Sequence, residues 1–348
     1  MDQAAVSTPE GRSPKAPVLP LDRAGRESAP LSLLKTAIQR REVTVVVVTV
    51  GVVLYFAFRT GAFYSVANII VIAQYTAPIV VIGAGEVLLL VLAEIDLSAG
   101  QTYLTAPWFA YWFWSAGIPV GIAILIALAL SLLIGFVNGF FTVRLGVPSL
   151  IVTLGTLYTL FGLVLVKSNY QQVDMPGGTG TAGKIFGIGA WSTILWALLI
   201  MAIIWVLLKK TRFGVHTTAA GGNLLGAAEA GIPVGRVKIW CFMIIALVSG
   251  YAGILDAVRI GSMNPGNTGL DIVLAPIVAA VIGGTALTGG RGTVLGTVIG
   301  AFFLGVLEDG FNIIGVNAQW FYFAEGVVIL VAMAINVQLS RATARMKR

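Results

Sequence analysis

Gly178, Gly180 and Gly183 stand at the spacing of a dinucleotide-binding fingerprint, and Gly178 through Lys184 reproduce most of a phosphate-binding P-loop. Either motif works only between a strand and a helix, where backbone N–H groups converge on phosphate. Here Pro176 precedes the glycines, and Ile185 stands where a magnesium-binding hydroxyl is needed. The stretch reads as a flexible glycine-rich loop, so the chain is not expected to hydrolyse ATP itself. One histidine, His216, and one cysteine, Cys241, cannot assemble an ordinary zinc site. His216 sits among Lys209, Lys210 and Arg212 and reads as a solvated side chain in a polar loop. No carboxylate pair has a catalytic or ligand spacing. Neither enzymatic activity nor a metal or cofactor bound by this chain is expected.

Polar residues inside apolar runs are the stronger signal, because they are costly in a membrane and often functional. Glu86, Glu94, Asp96, Asn138, Asp256 and Glu308 fall in this class. Asp96, Ser98 and Asn138 are the candidates for a translocation pathway. Asp96 with Ser98 also suits the opening of a helix, where an acid and a hydroxyl satisfy free N–H groups. Asn138, between Gly135 and Gly139, equally suits a hydrogen bond between helices.

A third constellation lies in the polar stretch 209–238. Asn223 is a good N-cap, and Leu224, Leu225, Gly226, Ala227, Ala228, Glu229 and Ala230 form a short helix. Gly231 suits the left-handed position that ends it, and Pro233 blocks continuation. An isolated helix of about two turns is unstable in water unless something packs on it. Leu224, Leu225 and Ala228 share a face, which points to a partner protein. A helix lying on the lipid surface is the alternative.

The elements that must position these residues are membrane helices. The 348 residues are 57% hydrophobic and only 11% charged, with 42 glycines and a mean hydropathy of +0.93. A soluble domain carries about 25% charged residues, so a water-soluble fold is excluded. The expected class is all-α: a polytopic membrane protein with about ten transmembrane helices. Apolar runs lie at 43–58, 68–92, 99–114, 118–143, 148–166, 191–208, 237–258, 271–287, 294–308 and 320–337. The third, eighth and ninth are short, and are expected to be broken or re-entrant. The aromatic cluster of Tyr103, Trp108, Phe109, Tyr111, Trp112, Phe113 and Trp114 suits a headgroup level or a packing face. Ala77-Pro78-Ile79-Val80 is echoed by Ala275-Pro276-Ile277-Val278, a weak trace of an internal repeat.

Residues 1–42 are Pro-, Ser- and charge-rich and read as a disordered cytoplasmic tail. Residues 43–338 form the membrane domain, including the loop 209–238, and 339–348 form a second cytoplasmic tail. The first apolar run reads as a retained helix and not a cleaved signal. With both termini inside and ten crossings, 18 of the 22 Lys and Arg residues face the cytoplasm. Only Arg59, Lys167, Lys184 and Arg259 face outward, as the positive-inside rule requires. That distribution assigns the net charge of +7 to membrane orientation, and no nucleic-acid partner is expected.

Three stretches carry a family resemblance. Asn223–Lys238 (NLLGAAEAGIPVGRVK), Gly261–Gly300 and Glu94–Gly100 (EIDLSAG) resemble the signatures of ribose-type ABC importer permeases. The likeness runs from about residue 66 to residue 335. It implies a type II ABC importer-like fold in a bacterial inner membrane, moving a sugar or similar small polar solute. It also implies a separate ATPase subunit, which uses ATP and magnesium, a periplasmic or lipid-anchored solute-binding protein, and a second permease copy, expected as a homodimer. Residues Asn223–Gly231 and Pro233 would be the loop that docks on the ATPase. The chain departs from the family at Leu92-Ala93-Glu94, where the usual pattern is Thr-Gly-Gly. The rival readings are a branched-chain amino acid permease of the same architecture, an ion-coupled carrier using Glu86 or Asp96, and an integral membrane enzyme.

Overall fold

The computed structural model describes residues 41–175, 191–266 and 269–317, with parts of 320–331. The glycine-rich loop 177–183, most of the N-terminal tail and the C-terminal tail lie outside the described residues. In chain order the helices are α1 (Arg41–Arg59), α2 (Val66–Val91), α3 (Ser98–Ser115), α4 (Val120–Arg144) and α5 (Ser149–Ser168). They continue as α6 (Ser192–Lys210), α7 (Arg212–Gly222), α8 (Leu224–Glu229), α9 (Val234–Ile260), α10 (Leu270–Ile282) and α11 (Val294–Ile313).

Local chemistry sets these boundaries. The side chains of Ser65, Thr211, Asn223 and Thr293 each accept a hydrogen bond from a backbone N–H three residues on, opening α2, α7, α8 and α11. Pro119, Pro148 and Pro233 precede α4, α5 and α9, where a missing N–H costs nothing. Asn169 and Gly261, both left-handed, end α5 and α9. Pro78, Pro107 and Pro276 lie inside α2, α3 and α10, and each withdraws one bond from the helical ladder.

Six helices are long and apolar enough to cross a membrane: α2, α4, α5, α6, α9 and α11. The protein is therefore a mostly helical, multi-pass membrane protein. α9 is at its centre, with 72% of its most apolar window buried, whereas α4 and α5 bury only 22% of theirs. The outward-facing Leu125, Leu133, Leu150, Ile151 and Val166 suit lipid contact. α4 approaches α9 through glycine: a Cβ on Gly135 would lie 2.3 Å from the Phe242 carbonyl oxygen. The echoed proline stretches of α2 and α10 meet in one apolar cluster with α11, through Ile79, Val80, Ala275, Val278 and Leu304.

Three sequence expectations need correcting. The ninth run extends to Ile313 as a 20-residue helix, because Glu308 and Asp309 are accommodated by Tyr75 and Asn68 of α2. The segment after Lys210 is not a loop: α7 covers His216, opened by the Thr211 cap. The aromatic cluster serves as a packing face at Trp108 and Phe109, buried with Leu160 and Val164, while Trp114 at its end is well exposed. Finally, one pair of two-residue antiparallel strands, β1 (Val173–Asp174) and β2 (Ser262–Met263), interrupts the all-helical pattern. The eighth run does stay short, as the 13-residue α10.

Candidate functional site

Two groups of sequence candidates lie toward one end of the bundle. The first is a two-helix arm made of α7 and α8. Asn223 is its joint: its N–H donates to the Ala219 carbonyl at 3.0 Å, and its Oδ1 accepts from Gly226 N at 3.0 Å. One extended residue thus ends α7 and starts α8. Gly231, at φ +82°, turns the chain back, and Ile232 N bonds the Ala227 carbonyl at 3.0 Å. Ala227 is buried, while Leu224, Leu225, Ala228, Glu229 and Ala230 are exposed, Leu225 at 75%. The predicted apolar face exists, but the helix is not isolated, since Ala227 and the preceding α7 anchor it to the core.

That anchoring rests on glycine. A Cβ on Gly221 would lie 1.6 Å from the Val91 carbonyl oxygen, at the end of α2. The same carbonyl accepts a hydrogen bond from Gly290 N at 2.8 Å. The arm, the end of α2 and the glycine-rich 283–293 connector therefore meet at one carbonyl. No local signal in the sequence marks this junction, because its parts are 70 to 200 residues apart.

The second group comprises Asp96, Ser98 and Asn138, all buried. Asp96 Oδ1 accepts from Ser98 N at 2.8 Å and Ser98 Oγ at 2.6 Å, so the carboxylate satisfies the first N–H of α3 from the residue before its cap, Leu97. Asn138 Nδ2 of α4 donates to Ser98 Oγ at 2.8 Å, and its Oδ1 accepts from Thr156 of α5 at 2.6 Å. Two further α5 hydroxyls hold the same connector, Ser149 accepting from Ile95 N and Thr153 from Leu97 N. Thr156, Thr153 and Ser149 were not sequence candidates; they read as ordinary helix hydroxyls. The network joins three helices and satisfies the polar groups it buries, which is interhelical bonding. Glu86 lies buried beside the Asp96 backbone with no well-formed hydrogen bond to its carboxylate.

Asp256 and Glu308 lie toward the opposite end. Asp256, in the last turns of α9, accepts from Tyr103 at 2.6 Å and from Arg259 Nε at 2.7 Å, and Arg259 reaches Gln74 Oε1 of α2 at 3.5 Å. Glu308 of α11 takes a bond from Tyr75, and its Oε2 is buried without a partner. Among the described residues no group of three His, Cys, Asp or Glu is placed to hold a metal ion.

Comparison with known proteins gives a consistent picture. A family profile described as "Branched-chain amino acid transport system / permease component" matches residues 68–333. The xylose/arabinose import permease protein XylH of Sulfolobus acidocaldarius is 36% identical over 89% of this chain and 88% of its own length. The galactose/methyl galactoside import permease protein MglC of Escherichia coli is 31% identical, covering 80% of this chain and 89% of its own. The ribose import permease protein RbsC of Haemophilus influenzae is 28% identical over 88% of this chain and 95% of its own. No solved structure matches.

Proposed function

This chain belongs to the permease-component family of that transport system and is an ABC importer permease, and from that premise we propose that it carries a sugar or similar small polar solute across a bacterial inner membrane. A separate ATPase supplies the energy, a periplasmic or lipid-anchored binding protein delivers the solute, and a second copy of the chain completes the conduit. The family description names branched-chain amino acids, but the relatives that align along most of this chain are sugar import permeases. That favours the sugar reading.

One observation carries the coupling step. The α7–α8 arm is fixed to the bundle at Gly221 and Ala227, yet it leaves Leu224 and Leu225 uncovered at its tip. Such a projection transmits a push from a partner to α2 and α9, as an ATPase-docking loop must. The residues of that loop are Asn223–Gly231 and Pro233. The chain itself has no catalytic role and binds no cofactor; ATP and magnesium belong to the ATPase. Ten crossings place both termini and the arm in the cytoplasm, an arrangement supported by the distribution of Lys and Arg. The three residues Asp96, Ser98 and Asn138 act as an interhelical tie, since their polar groups already satisfy one another.

The test is reconstitution of the chain with its ATPase and binding protein in liposomes, followed by uptake of labelled D-xylose, D-ribose, D-galactose and L-leucine. ATP-dependent uptake of a sugar is expected. Uptake that ignores the ATPase and follows an imposed ion gradient would establish the carrier reading instead, and uptake of leucine alone the amino acid reading.

A further inference from the structure

We propose that Gln74, Tyr75, Tyr103, Asp256, Arg259 and Glu308 form a binding site for a neutral polyhydroxylated solute in the outer half of the conduit. The proposal rests on the functional reading above and adds the place where the solute is held.

These six residues come from four helices, α2, α3, α9 and α11, and form two side-chain groups that meet at the adjacent Gln74 and Tyr75 of α2. Tyr103 and Arg259 both bond Asp256, Arg259 reaches Gln74, and Tyr75 bonds Glu308. Gln74 lies eight residues from the start of α2, Asp256 and Arg259 lie in the last turns of α9, and Glu308 lies five residues from the end of α11. With the arm inside, all of them fall in the outer half. The group is not sealed: Gln74, Tyr75, Tyr103, Arg259 and Glu308 are each only partly buried. An ion pair and two further polar side chains facing lipid would be strongly disfavoured, so their open side faces water or protein.

The chemistry selects the ligand class. Sugar hydroxyls need donors and acceptors side by side, and an aromatic face suits the apolar side of a pyranose ring. Arg259 supplies donors; Asp256 and Glu308 supply acceptors; Tyr75 and Tyr103 supply rings. Asp256 and Arg259 neutralise each other at 2.6 Å, so this pair presents dipoles more than free charge. An amino acid would need separate, unspent positive and negative partners, which this cluster does not offer. Glu308 Oε2, buried without a partner, is placed to accept from a hydroxyl. Pro78 and Pro107 each withdraw one backbone bond from their helices about one turn from Gln74 and Tyr103.

The experiment uses the complete transporter in liposomes with labelled D-ribose, D-xylose, D-fructose and D-galactose. Gln74→Leu, Arg259→Lys and Glu308→Gln are expected to lower uptake of the preferred sugar at least tenfold. They should also change the order of preference among the four, with equal recovery of each variant in the membrane bound to its ATPase. In a Cys241→Ser background, Gln74→Cys should react with a charged, impermeant thiol reagent added outside, more slowly when the preferred sugar is present. Uptake within twofold of wild type with unchanged preference overturns the site. So does a loss that merely tracks reduced recovery, or a Gln74→Cys that never labels. If the wild-type complex takes up none of the four sugars, the functional reading falls and the site falls with it, an outcome distinct from variants that behave like an active wild type.

Discussion

Lys238 in the first turns of α9 is ion-paired with Glu94 in the connector between α2 and α3. The two residues are 144 positions apart, and their side chains are only 17% and 13% exposed. Each belongs to a stretch that carried the family resemblance, yet Glu94 stands where the family pattern has glycine. The contact thus ties the base of the arm, through α9, to the connector that holds Asp96. A charged pair this sheltered from water is stronger than a surface one, because solvent screens it less.

Removing one partner therefore leaves a partly buried charge without its counter-charge. Glu94→Gln and Lys238→Met should each destabilise the purified protein by about 1.5–3 kcal/mol, read as a lower melting temperature in detergent. The double variant Glu94→Gln/Lys238→Met should lose less than the sum of the two single losses. Additive losses in the double variant would show that the two side chains do not interact.

Gly221 and Gly222 are adjacent glycines with opposite demands. A Cβ at Gly221 collides with the Val91 carbonyl, whereas a Cβ at Gly222 meets nothing within 4 Å. Gly221→Ala should cost about 1–3 kcal/mol or more, because the obstacle is backbone that cannot rotate away. Gly222→Ala should be neutral or stabilise by up to about 1 kcal/mol through reduced chain entropy. Thermal melting and membrane yield of the two variants check the contrast. Equal behaviour would mean that the arm does not pack on α2 as described.

Hydrophobic runs made most of the membrane helices legible, with ends within a few residues wherever a cap or proline marks them: Ser65 before α2, Pro148 before α5, Asn223 and Gly231 around α8. The misses share a cause. Glu308 and Asp309 look like the end of a helix until their long-range partners, Tyr75 and Asn68, are known. The Lys- and Arg-rich stretch around His216 looks like a loop because charge, and not propensity, dominates it. Asp96, Ser98 and Asn138 were visible as costly polar residues, but whether they bond each other or face a solute depends on Thr156, and nothing local announces that hydroxyl. The outer cluster was seen only as separate residues, the acids Asp256 and Glu308, the outward Arg259 and the aromatic Tyr103, because Gln74 and Tyr75 are unremarkable in sequence.

The Asn138 network gives a second stability test. Asn138→Ala leaves the partly buried Thr156 hydroxyl and one side of the buried Ser98 unsatisfied. Each such group costs about 1–3 kcal/mol. Thr156→Val, which removes only the outermost donor, should cost less than Asn138→Ala. The order of the two melting temperatures is the measurement, and a reversed order would place the network's weight on Thr156.

The exposed tip of α8 makes the strongest demand on the functional reading. Leu225 is 75% exposed in the chain alone, so Leu225→Asp should leave folding and membrane insertion unchanged. If the tip docks in an apolar groove of the ATPase, the same change puts a carboxylate into that contact. The loss expected for a central apolar anchor is about 2 kcal/mol or more, roughly 30-fold in affinity. Gly231→Val acts by another route. A β-branched residue is strained at φ +82°, which misdirects the chain into Pro233 without removing the apolar tip. Leu225→Asp should therefore lose both ATPase co-purification and solute uptake. Gly231→Val should lose uptake while keeping some association. A Leu225→Asp protein with normal uptake and normal association would show that the arm does not couple the two subunits.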